Sequence, residues 1–172
     1  MVRTHKNDVC EVRFLHRCCA ITDMEDFSQS HDIELYIKRR PESVRAWWTD
    51  LPDNYQARDP REDPFRIVTL RKFPSGRELL TYWHRDDGSV YQRREIMIIN
   101  PDGSWTVEMT DDPRFHYLDT FRVMPEKEET RLVIHQVITP KDPSQANEIN
   151  ELKKELVEFF KTMAEICERD AP

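Results

Sequence analysis

From Pro143 to Arg169 the apolar residues Ile149, Leu152, Leu156, Phe159, Phe160, Met163, Ile166 and Cys167 recur at alternating three- and four-residue intervals. Charged residues, among them Glu151, Lys154, Glu158, Lys161, Glu165 and Glu168, fill the positions between. That spacing predicts one amphipathic helix with a wide apolar stripe. Pro143 and Ser144 mark its start, with Ser144 as the N-cap, and neither glycine nor proline interrupts it before Pro172. At about 1.5 Å per residue it spans roughly 35 to 40 Å, so it needs a broad surface to cover it.

The pattern upstream supplies that surface. Phe73-Pro74-Ser75-Gly76, Asp86-Asp87-Gly88-Ser89 and Asn100-Pro101-Asp102-Gly103 are turn sequences between runs rich in β-branched and aromatic residues. They predict strands at 65–73, 77–85, 90–99, 104–109, 115–124 and 130–139. Earlier, Ile33, Leu35 and Ile37 alternate with Glu34, Tyr36 and Lys38, a half-buried strand. Pro41 and Glu42 then open a short helix with Val44, Trp47 and Trp48 on one face, and 54–64 is a proline- and charge-rich connector. The expected fold is α+β: a curved antiparallel sheet of about seven strands wrapped around a long C-terminal helix, with two short helices after the first strand. The domain covers 31–170. Residues 1–30 form an N-terminal extension with three open readings: an extra edge strand at 12–21, a lid, or a partly ordered tail.

Alternation also assigns faces. Trp105, Val107 and Met109 share the side turned to the helix. Pairing Ile99 with Trp105 across the Asn100–Gly103 turn places Met97 opposite Val107 and Glu95 opposite Met109. The inner face of that strand then reads Tyr91, Arg93, Glu95, Met97, Ile99. The same rule brings inward Leu79, Thr81 and Trp83, then Ile67, Thr69 and Arg71, and on the other side Phe115, Tyr117, Asp119 and Phe121, then Val133, His135 and Val137, with Asp119 roughly opposite His135. Helix residues Leu156, Phe159, Phe160 and Met163 complete the lining. Charges in a dry core are costly unless paired, which favours a solvated or ligand-filled pocket. Two alternatives stand beside this: Arg93 and Glu95 as edge partners, or a β-bulge that turns them to water. Asp119 with His135 is either a structural pair or one that polarises a ligand. The opposite face carries Val68, Leu70, Leu80, Tyr82, Ile96, Ile98, Leu132 and Ile134, a patch suited to a homodimer or to cover by the N-terminal segment.

Composition narrows the function. The 172 residues fit one domain, and a net charge of -7 with pI near 5.4 argues against nucleic acid as partner. No apolar run reaches the roughly 18 residues of a membrane span, so no integral membrane segment is expected. The N-terminus has no signal-peptide layout, and the expected location is cytoplasmic. Cys10, Cys18, Cys19 and Cys167 read as free thiols, because adjacent cysteines with His5 and His16 do not complete a zinc spacing, so no metal is expected. Three glycines exclude a glycine-rich phosphate loop, no cofactor is expected, and no Gly-x-Ser-x-Gly nucleophile is present.

The element order, with Pro41-Glu42-Ser43-Val44-Arg45-Ala46-Trp47-Trp48-Thr49-Asp50 directly after the first strand, resembles the START-like superfamily, also called SRPBCC, over about 31–170. Its members include lipid-transfer domains, pollen-allergen-like proteins and polyketide cyclases. The chain departs from the pollen-allergen branch in lacking a glycine-rich loop between the second and third strands. Cystatin-like and NTF2-like sheets lead with their long helix, which here comes last. The resemblance implies a helix-grip fold enclosing a cavity for an apolar ligand. It implies binding of a hydrophobic small molecule (lipid, isoprenoid or polyketide-like) without covalent chemistry. Alternatively, it implies a cyclase or aromatase in which Asp119 and His135 are acid and base and Arg93 and Tyr117 hold a polyketone oxygen. A third implication is a protein-interaction module on the outer sheet face. The first needs a cavity larger than a few waters, and the second needs His135 within hydrogen-bond reach of Asp119.

Overall fold

The structure, a computed structural model, describes residues 27–50, 65–84, 88–109 and 111–172. Its elements are β1 (Gln29–Ile37), α1 (Pro41–Thr49), β2 (Phe65–Phe73), β3 (Gly76–His84), β4 (Val90–Ile99), β5 (Trp105–Met109), β6 (Phe115–Pro125), β7 (Thr130–Pro140), a 3-10 turn (Pro143–Glu148) and α2 (Ile149–Asp170). The strands form one antiparallel sheet in the order β1-β7-β6-β5-β4-β3-β2. Apart from the β1–β7 pairing, each strand lies beside its neighbour in sequence. A second short helix would fall within 51–64, outside the described residues. β1 starts two residues ahead of the expected domain boundary.

Turn chemistry sets the registers. Gly103 adopts φ +81, a left-handed conformation that costs glycine little, and Asn100 closes the turn by accepting from the Gly103 N–H at 2.9 Å. Gly76 is required for a different reason: a Cβ there would lie 1.9 Å from the Met97 carbonyl oxygen on the facing strand. In β2 a register shift between Thr69 and Arg71 corrects one expectation. The extra residue turns Arg71 to the outer face, 3.3 Å from Glu78.

The long helix also starts differently from the expectation. Asp142, not Ser144, is the cap: its carboxylate accepts from the Ser144 N–H at 2.9 Å and opens the 3-10 turn ahead of α2. Pro143 fits the first turn because its missing N–H has no partner there in any case. α2 buries Ile149, Leu156, Phe159, Phe160, Met163, Ala164, Ile166 and Cys167. Each large apolar side chain so buried contributes on the order of 1.5 to 3 kcal/mol. Its C-terminus is fixed where β1 meets α1. Lys38 N–H donates to Glu168 at 3.1 Å, and Arg39 Nε donates to the Ala171 carbonyl at 2.9 Å. The helix backbone packs mainly along β1 and also against α1. Over the middle of the sheet, long side chains bridge the gap, and this is where the polar inner-face residues lie.

Candidate functional site

β4 pairs without interruption with β3 and β5: Thr81 faces Arg93, Leu79 and Met109 flank Glu95, and Met97 faces Val107. No bulge reverses it, so Arg93 and Glu95 both lie beneath α2. Arg93 Nε sits 2.6 Å from Glu95 Oε1, with only 12% and 7% of the two side chains exposed. The N–H is not aimed along that line, so the contact is a coulombic pair without a good hydrogen bond. The other carboxylate oxygen of Glu95 accepts from the Thr81 hydroxyl at 3.0 Å, and the Arg93 guanidinium lies 5.3 Å from the centre of the Phe159 ring.

Asp119 on β6 sits between Val107 and Gln136. Gln136 Nε2 donates to its Oδ1 at 2.8 Å. Burial pushes the Asp119 pKa up to about 7. The Gln136 amide and the Arg93 charge pull it down, and the nearby Glu95 adds to the rise. Trp105 stacks on Phe121 with centroids 5.1 Å apart, and Phe121 meets Phe160 edge-on at 5.9 Å. The indole N–H of Trp105 has no hydrogen-bond partner among the described residues.

These groups enclose a void of about 40 Å³, lined by Arg93, Glu95, Met97, Trp105, Val107, Asp119, Phe121, Phe159, Phe160 and Met163 from the expected set. Trp48, Ile67, Leu79 and Thr81 complete it. A second void, of about 30 Å³, lies towards the start of α2, where Tyr91, Met109, Tyr117 and Leu156 meet Asp112, Arg114, Leu152 and Glu155. Arg93 lines both. At the second void the Tyr91 hydroxyl donates to Asp112, and Asp112 also accepts from the backbone of Arg114 (2.8 Å) and Phe115 (3.1 Å). Burial raises the pKa of both Tyr91 and Tyr117. Each void has room for a few waters at most, against roughly 300 to 1,000 Å³ for a typical ligand pocket. Among the described residues, the space between the middle of the sheet and α2 holds no cavity of the size the resemblance implied.

The expected facing of β7 changes. His135 is on the outer face: its Nδ1 lies 2.7 Å from Asp32 Oδ1, and both side chains are more than half exposed. The cause is a one-residue difference in the last hairpin. β6 runs on to Pro125, which pairs with Thr130, and Glu126 N–H to Glu129 O at 3.0 Å closes the loop. Asp119 is therefore opposite Gln136, and the whole strand reverses parity. Leu132 and Ile134 consequently leave the outer patch for the core, both fully buried. Trp83 is in register with Tyr91, but its side chain lies outside the described residues. Gln136 is a site residue that strand alternation did not bring inward. A signal for it was present, since Arg131 and His135 on one side of β7 mark that side as the wet face. Asp112 falls in what reads as a plain break between strands, with no pattern to mark it.

No family model and no curated protein sequence matches the chain. Solved structures do match, among them a protein of Thermus thermophilus at 16% identity, covering 82% of this chain and 95% of that one with a TM-score of 0.63. The Zhui aromatase/cyclase of a Streptomyces species matches at 12% identity over 83% and 94% of the two chains with a TM-score of 0.63. A START superfamily protein of Mycobacterium smegmatis matches at 13% identity over 79% and 97% with a TM-score of 0.57. Among the described residues no helix is long and apolar enough to cross a membrane. With seven antiparallel strands among the described residues, a closing C-terminal helix and these neighbours, the chain has a START-like helix-grip fold.

Proposed function

We propose that this chain binds a small, largely apolar molecule between the middle of the sheet and α2. The observation that carries the reading is the polar set Arg93, Glu95, Thr81 and Asp119 around a void whose other walls are aromatic and aliphatic. A core built only for stability gains little from two carboxylates and a guanidinium there, because their desolvation offsets their attraction. What closes the interior is side chains: Phe159, Phe160 and Met163 reach down from α2, and Arg93 reaches across from β4. Rotamer changes of such groups cost far less than moving a strand, and they would join the two voids that share Arg93. The ligand-bound form is then wider than the closed form described above.

Native mass spectrometry of the purified chain, before and after solvent extraction, tests this. A co-purifying compound, or uptake of small aromatic probes with shifts at Met163 and Trp105 in NMR spectra, is the expected result. A chain that carries nothing and takes up no apolar probe refutes it. The acid–base pair required by a cyclase of the expected kind does not form, because His135 and Asp119 are on opposite faces of the sheet.

A further inference from the structure

The charges around the central void narrow the ligand class, an inference that rests on the binding reading above. Among the described residues, Arg93 is the only basic side chain lining this void, and it is already committed to Glu95 at 2.6 Å. Glu95 uses its other oxygen on Thr81. An anionic ligand would have to share Arg93 with Glu95 and would add a further negative charge beside Glu95 and Asp119 in a buried setting, which is unfavourable.

Asp119 is differently placed. Among the described residues it forms no ion pair and accepts a single hydrogen bond, from Gln136. The groups facing it are Arg93 and Glu95 from β4, Gln136 from β7 and uncharged side chains from β5, α1 and α2. With Arg93 and Glu95 cancelling, an ionised Asp119 leaves one negative charge uncompensated. The same void is lined by the rings of Trp105, Phe121 and Phe160, and aromatic rings offer an approaching cation a favourable negative quadrupole. We infer that the site takes an aromatic or apolar molecule bearing a protonated amine, its ammonium on Asp119 and its hydrocarbon among those rings. Burial holds Asp119 largely protonated below neutrality. An ammonium would stabilise the carboxylate, so binding and ionisation are coupled.

Three probes sharing one ring test this: benzylamine, benzyl alcohol and benzoate, titrated into the full chain and followed by NMR at pH 6 and pH 8. Benzylamine is protonated at both. It is expected to bind about tenfold tighter than the alcohol at pH 8, with benzoate weakest. Its affinity should rise about tenfold from pH 6 to pH 8, because Asp119 is about one-tenth ionised at the first and about nine-tenths at the second. The alcohol should show no such rise. In Asp119→Asn the amine should fall to the level of the alcohol and lose its pH dependence. Benzoate or benzyl alcohol matching benzylamine at pH 8 overturns the inference while leaving the binding reading intact. An amine that keeps its pH profile in Asp119→Asn overturns it in the same way. If none of the three binds, both fall together.

Discussion

Replacing Asp119 by asparagine probes the interior through stability alone. Burial raises its carboxyl from an ordinary 3.8 to about 7 in the folded chain. The folded state thus holds this proton more tightly than the unfolded chain does. The resulting stabilisation is fully present below the unfolded value and is lost as pH rises through about 7. The whole difference, about three pH units at about 1.36 kcal/mol each, comes to about 4 kcal/mol. Of this, roughly 2 to 3 kcal/mol is lost between pH 5 and pH 8. Asparagine keeps the shape and still accepts from Gln136, but it cannot ionise. Urea unfolding of both chains at pH 5, 6, 7 and 8 therefore gives a difference that grows with pH in favour of Asp119→Asn. At an m-value of about 2 kcal/mol/M, the midpoints separate by about a further 1 M over that range. All other ionisable groups are common to both chains and cancel in the difference. Because the unfolded carboxyl is ionised throughout this range, parallel midpoints from pH 5 to pH 8 would mean that the folded one is ionised too, and the account of a buried acid would be wrong.

Glu95→Ala should cost about 3 to 5 kcal/mol in urea unfolding by stranding Arg93, and the double change Arg93→Met with Glu95→Gln should recover most of it. Trp105→Ala removes a fully buried ring stacked on Phe121 and should destabilise by about 3 to 5 kcal/mol, read as a lowered thermal midpoint. His135→Ala should change stability by less than about 1 kcal/mol and leave probe binding untouched, since its pair with Asp32 is exposed. Gly76→Ala should cost about 1 to 3 kcal/mol or more through the clash with the Met97 carbonyl, seen as a loss of soluble folded yield and a lowered midpoint. Cys167, whose thiol burial pushes up to about 12, should resist alkylation at pH 8 in the folded chain and react only after unfolding, as mapped by peptide mass spectrometry.

Local chemistry made much of the architecture readable. Proline–glycine turn sequences delimited the strands to within a residue or two, and the three- and four-residue spacing of α2 announced its buried face. The Asn100–Gly103 turn made the β4–β5 register readable, because a short hairpin whose glycine takes φ +81 leaves little choice of pairing. That register carried Arg93 and Glu95 inward, and the unbroken ladder keeps them there.

The chain's alternation and turns were sufficient for the element order, the helix-grip fold and most of the inner face. Tertiary structure decided what depends on a single residue of slip or on the space left after packing. Side-chain direction reverses with every residue of register, so the pairing of Pro125 with Thr130 moved His135 out and Gln136 in, and one extra residue in β2 turned Arg71 to water. In the same way, how completely Phe159, Phe160, Met163 and Arg93 fill the space between α2 and the middle of the sheet depends on how the helix docks on β1 and α1, a matter of packing that no local pattern encodes.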